Sequence, residues 1–270
     1  MIAEAADFAS ECDSTYALLQ SLDDADYGRE TQFKGWTIND VIQHVYLGDT
    51  RAHMTLTDPE GYARIRAERQ AVVTATSAEK LANQREAAGN REGKELLEDW
   101  RASATRTAAA YAEADPKHRV QWAGPDMSAR SSITARLMEI WSHSQALFDV
   151  LGQDRVDGDR IRAIAHLGAI TYGWTFANRG EDPPGPPPLI RLTAPSGAVW
   201  EWNAETAPAD EVVAGPATDF CQVVAQTRNT ADVNLSVIGK AATAWMNQAQ
   251  CFAGPPNNPP APGSRYKQVG

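Results

Sequence analysis

Five histidines and a surplus of carboxylates are the side chains of this sequence best suited to chemistry, and spacing draws attention first to Glu139 and His143. Four residues apart on a helix, they share one face and can meet at a point. Beside an apolar stripe, such a pair is either a buried ion pair or two ligands of a metal. On a solvated helix it is a plain salt bridge. Asp40/His44 and Asp49/His53 repeat the spacing, so spacing does not choose among the three. The surroundings narrow the field. His118 falls in a polar loop, and His53 lies where its helix turns polar. His166 sits on an apolar helix, where a core or pocket role is expected. His44 and His143 each flank an apolar face. Helical bundles build metal sites from inward side chains on facing helices. Two histidines and a carboxylate with an open fourth position form a common catalytic zinc set, and the same set suits non-haem Fe(II).

These residues need helices to position them. Residues 130–152 read as one long amphipathic helix, with Ser131 or Ser132 as its cap and Gly152 as its stop. Ile133, Leu137, Ile140, Trp141, Phe148 and Leu151 recur at three- and four-residue steps and form its core stripe. Thr37 and Asp40 form a capping-box pattern that opens a helix with Ile38, Val41, Ile42, Val45 and Tyr46 inward. Trp36 and Trp141 read as packing residues, and Asp40 as a cap. Helices are also expected over 2–22, 59–77, 80–114 and 158–178, with Arg64, Arg66 and Arg69 on a solvated face. Residues 115–129, with Trp122, Gly124 and Pro125, read as a loop.

The composition changes at Gly180. Residues 181–188 are proline-rich and predict a stiff linker. Strand-like runs follow at 189–193 and 198–202, separated by the turn signal Pro195-Ser-Gly197. A helix over 216–228 with Thr218 as cap, a strand over 233–238 and a helix over 241–252 complete the pattern. Residues 255–270 form a proline-rich tail, read as an extended arm or disordered. The fold class is therefore α+β in two domains. An antiparallel helical bundle spans 1–180, and a small α+β domain spans 189–254.

The formal net charge of -10 argues against a nucleic-acid binder and against docking on an anionic membrane. No apolar run reaches the roughly 20 residues that span a bilayer, and the first residues lack the pattern of a signal peptide. Cys12, Cys221 and Cys251 are odd in number and far apart, as expected of reduced thiols in a cytoplasmic protein.

Two stretches carry a family resemblance. Trp36-Thr-Ile-Asn-Asp-Val-Ile-Gln-His44-Val-Tyr-Leu-Gly-Asp49 and Arg136-Leu-Met-Glu139-Ile-Trp-Ser-His143 resemble the metal-binding helices of the DinB-like bundle. The closer likeness is to its actinobacterial branch of mycothiol-dependent maleylpyruvate isomerases and mycothiol S-transferases. The stretch from Ala214 to Asn229, with Asp232, Gly239 and Trp245, resembles the sterol-carrier-protein-like C-terminal domain of the same proteins. The resemblance implies His44, Glu139 and His143 as ligands of Zn²⁺ or another divalent metal, and mycothiol as thiol cosubstrate. It implies Arg228 as an anion contact for thiol or substrate, though a helix C-terminus also favours an arginine. His166 is a further candidate on the thiol or substrate side, or a fourth ligand closing the metal site. The expected activity is a mycothiol S-transferase acting on a small electrophile. The alternatives are a cis–trans isomerase of the maleylpyruvate type and a non-catalytic, metal-stapled binding protein. Expected partners are small molecules, with the chain a monomer or homodimer.

Overall fold

A computed structural model describes residues 1–71, 76–122, 124 and 126–269, with the side chains of 69–71 outside the description. Part of the helix expected over 59–77, the Arg69 side chain and Pro125 therefore lie outside the described residues. The chain divides into two compact units, Met1–Leu151 and Gly152–Gly270.

The first unit comprises α1 (Ala3–Leu19), α2 (Ile38–Thr57), α3 (Pro59–Ala71), α4 (Ser77–Ala87), α5 (Gly93–Glu113), a short hairpin of β1 (Arg119–Val120) and β2 (Met127–Ser128), and α6 (Ala129–Val150). The stripes of α1, α2, α5 and α6 meet in a core that includes Phe8, Cys12, Ile38, Ile42, Leu97, Trp100, Ile133, Ile140 and Trp141, all buried. The bundle is not uniformly antiparallel. Asn39 at the start of α2 accepts from the Gly93 amide at the start of α5, and Tyr111 near the end of α5 donates to Ala52 towards the end of α2. These two helices therefore run parallel. A parallel neighbour requires the chain to travel back, and residues 58–92, with α3 and α4, supply that return. By contrast, α2 and α6 are antiparallel, since Asp49 pairs with Arg136 while His44 faces Glu139.

Local signals explain where these helices begin and end. Thr37 caps α2 as expected: its Oγ1 accepts from the Asp40 amide at 3.2 Å, and Asp40 Oδ2 accepts from the Thr37 amide at 2.9 Å. The expected helix over 80–114 is two helices, because Gly89 and Asn90 adopt positive φ of 72° and 52° and end α4. The cap of α6 is Ser128, which accepts from the Ser131 amide, rather than Ser131 or Ser132. The hairpin between Arg119 and Ser128 replaces part of the expected loop.

The second unit holds α7 (Arg162–Ile170), α8 (Tyr172–Ala177), β3 (Leu189–Thr193), β4 (Val199–Trp202), β5 (Val212–Pro216), α9 (Ala217–Val224), β6 (Ser236–Ile238) and α10 (Lys240–Met246). Its sheet runs β4-β3-β5-β6, with β3 and β5 parallel and the two outer pairings antiparallel. The sequence reading did not include β5. The expected boundary at residue 180 gives way to one at 151/152, because the helical segment after it packs on this unit's own elements. A Cβ on Gly168 of α7 would lie 2.8 Å from Val224 and 3.0 Å from Phe220 of α9. Tyr172 of α8 meets the Trp245 ring of α10 at 5.4 Å. Residues 181–188 are likewise fastened within the unit, since Tyr172 donates to the Gly185 carbonyl. Thr218 does not cap α9; its hydroxyl donates to Asp157. The C-terminal arm is tied down by bonds from Asn257 to Gln226, from Gly263 to Asp232 and from Arg265 to the Gln226 carbonyl. Among the described residues, no helix is long and apolar enough to cross a membrane.

Candidate metal centre

Three ligand-type side chains converge where α2 faces α6. His44 comes from the second turn of α2, and Glu139 and His143 from consecutive turns of α6. One ligand atom from each lies within 4.8 Å of the others. Nε2 of His44 is 3.4 Å from Glu139 Oε2, and Nε2 of His143 is 3.3 Å from the same oxygen. A charge-assisted hydrogen bond is shorter, about 2.7–2.9 Å. With ligand bonds of about 2.1 Å, the edge of a tetrahedral site is about 3.4 Å. The two separations from Glu139 thus match tetrahedral edges, and the remaining pair of donors lies within 4.8 Å. The donor chemistry also fits, since imidazole and carboxylate together suit zinc and related divalent ions. The side chains of His44, Glu139 and His143 keep 34%, 22% and 13% of their exposure, which leaves one side of the cluster open to solvent.

Electrostatics prepares the donors. Burial pushes the Glu139 pKa up, but the His143 and His44 rings beside the carboxyl outweigh it and hold it well below its usual range. Burial, aided by the nearby His44, lowers His143 to about 4. At neutral pH the carboxylate is charged and the His143 imidazole neutral, the states in which both bind metal.

Aromatic rings cover the cluster. The turn before α2 reverses at Lys34 and Gly35, with φ of 58° and 67°, and delivers Phe33 and Trp36 to the histidines. Phe33 meets His143 edge-on at 5.0 Å, and Trp36 lies parallel to His143 at 6.1 Å and near His44 at 5.4 Å. Trp36 does pack, as its type suggested, but part of what it packs against is the candidate centre. The sequence reading missed Phe33 and also Gln84, whose Oε1 lies 3.2 Å from His44 Nδ1. An aromatic residue beside the Lys34-Gly35 turn was the available signal for Phe33.

The rival pairs are engaged elsewhere. Asp40 receives two bonds from Arg85 in addition to its capping role. Asp49 binds Arg136 and the Trp100 indole. His118 is exposed and His53 half-buried. His166 and Arg228 belong to the second unit. His166 is exposed, and its Nδ1 accepts from Trp202 Nε1 at 3.1 Å. Arg228 follows α9, and its guanidinium donates to the Thr227 carbonyl. All three cysteines are buried and free of disulfides.

A helical bundle with a two-histidine, one-carboxylate cluster between facing helices defines a class of candidate metalloprotein. The sequence model of the mycothiol maleylpyruvate isomerase N-terminal domain matches residues 8–148, and the chain belongs to that family. It is 35% identical over 254 residues to uncharacterised proteins from two strains of Mycobacterium tuberculosis, spanning 93% of this chain and 95% of each relative. Among solved structures it is similar to the crystal structure of the mycothiol-dependent maleylpyruvate isomerase, with a TM-score of 0.53, 19% identity, and coverage of 82% of this chain and 86% of that one. A histidine-to-alanine mutant of that isomerase gives a TM-score of 0.52 at the same identity. At this identity the likeness speaks to the fold.

Proposed function

We propose that this protein is a metal-dependent enzyme that uses mycothiol as thiol cosubstrate on a small electrophile. His44, Glu139 and His143 would hold zinc or another divalent ion. The observation that carries this reading is the convergence of His44, Glu139 and His143 with one side left open, in a chain of this family. A divalent metal bound there would make a coordinating thiol ionise, supplying a thiolate at neutral pH. The protein's own residues do the rest. Glu139 and His143 stand deprotonated beforehand. Phe33 and Trp36 shield the His143 ring. Arg228 and His166 are proposed as anion contacts of the second unit, taken by itself.

The first reading of the reaction is S-transfer, in which the thiolate sulfur bonds to an electrophilic carbon and a leaving group departs. It rests on Arg228 being the one guanidinium among the proposed contacts, where a diacid substrate calls for two. The second reading is cis–trans isomerisation, favoured by the family to which residues 8–148 belong. There the thiolate adds to a carbon–carbon double bond, the adduct rotates, and the thiol is expelled unchanged. Calorimetric titration of mycothiol into zinc-loaded protein, with a His143→Ala control, tests the common part. Metal-dependent binding lost in the variant supports it, and no binding to fully metallated protein sinks it, leaving a binding protein. Turnover of maleylpyruvate without loss of mycothiol would select isomerisation. Stoichiometric consumption of mycothiol with an alkylating electrophile would select transfer.

A further inference from the structure

Helix α4 contributes no buried residue of its own to the bundle. Apolar packing is limited to half-buried Leu81 and to Ala88 at its end. Two consecutive polar side chains fasten it to α2. Arg85 grips the Asp40 carboxylate with Nε–Oδ1 of 2.7 Å and Nη2–Oδ2 of 2.9 Å. Gln84 donates from Nε2 to the Asp40 carbonyl at 2.9 Å and turns its Oε1 to His44 Nδ1 at 3.2 Å. The first of these bonds fixes the amide, because a carbonyl accepts only from the NH₂ end. The oxygen is then obliged to face His44, and an oxygen there accepts a proton from Nδ1. A neutral imidazole with hydrogen on Nδ1 carries its lone pair on Nε2. Nε2 is the atom turned to Glu139.

We propose that Gln84 is the positioning residue of the metal centre, setting the tautomer and ring orientation of His44 so that Nε2 is the donor. This deepens the metal-dependent reading above. His143 has no equivalent device. Its Nδ1 is buried without a hydrogen-bond partner among the described residues, and Phe33 and Trp36 fix its ring. The two histidines are thus oriented by different means, one by a hydrogen bond from α4 and one by aromatic contacts.

The test has two parts. The ¹⁵N shifts of His44 in metal-free protein report its tautomer, and zinc affinity is read by chelator competition. Gln84→Ala is expected to turn His44 into a mixture of tautomers and to weaken zinc binding by about ten- to a hundredfold. Gln84→Glu keeps an acceptor for Nδ1 but loses the donor to the Asp40 carbonyl, and is expected to preserve the Nδ1–H form with a zinc affinity above that of Gln84→Ala. Arg85→Ala loosens the helix but leaves the amide, and is expected to retain the tautomer. If Gln84→Ala leaves the tautomer unchanged, or if Arg85→Ala disturbs it equally, the proposal is overturned and Gln84 merely docks α4. The tautomer measurement needs neither metal nor thiol. Failure of the wild type to bind zinc would therefore refute the functional reading separately.

Discussion

Arg136 and Asp49 form a buried ion pair, with Arg136 Nε 2.9 Å from Asp49 Oδ1, that joins α6 to α2 beside the candidate metal ligands. Arg136 precedes Glu139 by three residues and Asp49 follows His44 by five, so the pair sets the axial register that brings His44 opposite Glu139 and His143. Trp100 donates to the other carboxylate oxygen at 3.0 Å, which ties α5 to the same point. Removing one partner strands a charge in the core. Arg136→Met or Asp49→Leu alone is expected to cost about 3–5 kcal/mol in urea unfolding. The double variant is expected to recover much of the loss, short of about 1–3 kcal/mol for the unsatisfied Trp100 indole. If the single variants unfold as the wild type does, the pair does not hold the helices together.

Gly48 is part of the same arrangement. A Cβ there would lie 2.5 Å from both Nη1 and Nη2 of Arg136. The glycine is therefore present for room, since α2 is regular helix at this point. Gly48→Ala adds helix propensity at an ordinary helical position, so the usual expectation is stabilisation. Here the methyl group must displace a guanidinium that is itself buried and bonded, and a loss of about 1–3 kcal/mol is expected. Thermal denaturation decides the sign, and a higher midpoint for the variant would refute the close approach.

Stability of the metal-free protein should fall on the acid side, and the two residues on α6 set where. His143 is lowered to about 4 in the folded protein and returns to about 6.5 when unfolded. Between these values the unfolded chain binds a proton that the folded one does not, so stability is lost as pH falls through this window. The full interval is worth about 3 kcal/mol. Glu139 is held below its usual range, so its contribution is present above about pH 4.5 and is lost as pH falls further. Urea unfolding of chelator-treated protein from pH 7 to 4 measures the slope. His143→Asn should flatten the upper part, and an unchanged slope in that variant would assign the loss to other groups.

Much of the bundle was legible because its signals are local. The Thr37/Asp40 cap and the three- and four-residue stripes of α2 and α6 depend on neighbours in sequence. Glu139 and His143 could be paired on the same grounds. Joining them to His44 took the family resemblance, because the contact spans two helices that spacing alone cannot bring together. Gln84 was invisible for the same reason, since nothing in its own helix marks a glutamine that will meet a histidine of another. The boundary at residue 180 was misplaced because a proline-rich run resembles a linker whether or not its flanks pack together. What decided the matter was the fit of Gly168 against Phe220 and Val224, a long-range contact. The parallel course of α2 and α5 was hidden similarly, because helix patterns carry no direction.

Trp36 shields His143 by lying parallel to its ring, and this makes a claim about cause that can be checked. Burial is the leading reason the His143 pKa is low. Trp36→Ala admits water to the ring, and relief of desolvation favours the charged imidazole. The His143 pKa is therefore expected to rise from about 4 towards the ordinary value. NMR titration of the metal-free variant reads this directly. At mildly acid pH the proton then competes with metal, so zinc affinity should drop more steeply with falling pH than in the wild type. Trp36→Phe keeps a ring against the histidine and should restore most of the shift. Should His143 still titrate near 4 in Trp36→Ala, its low value comes from α6 and its neighbour His44, and the aromatic cover is packing alone.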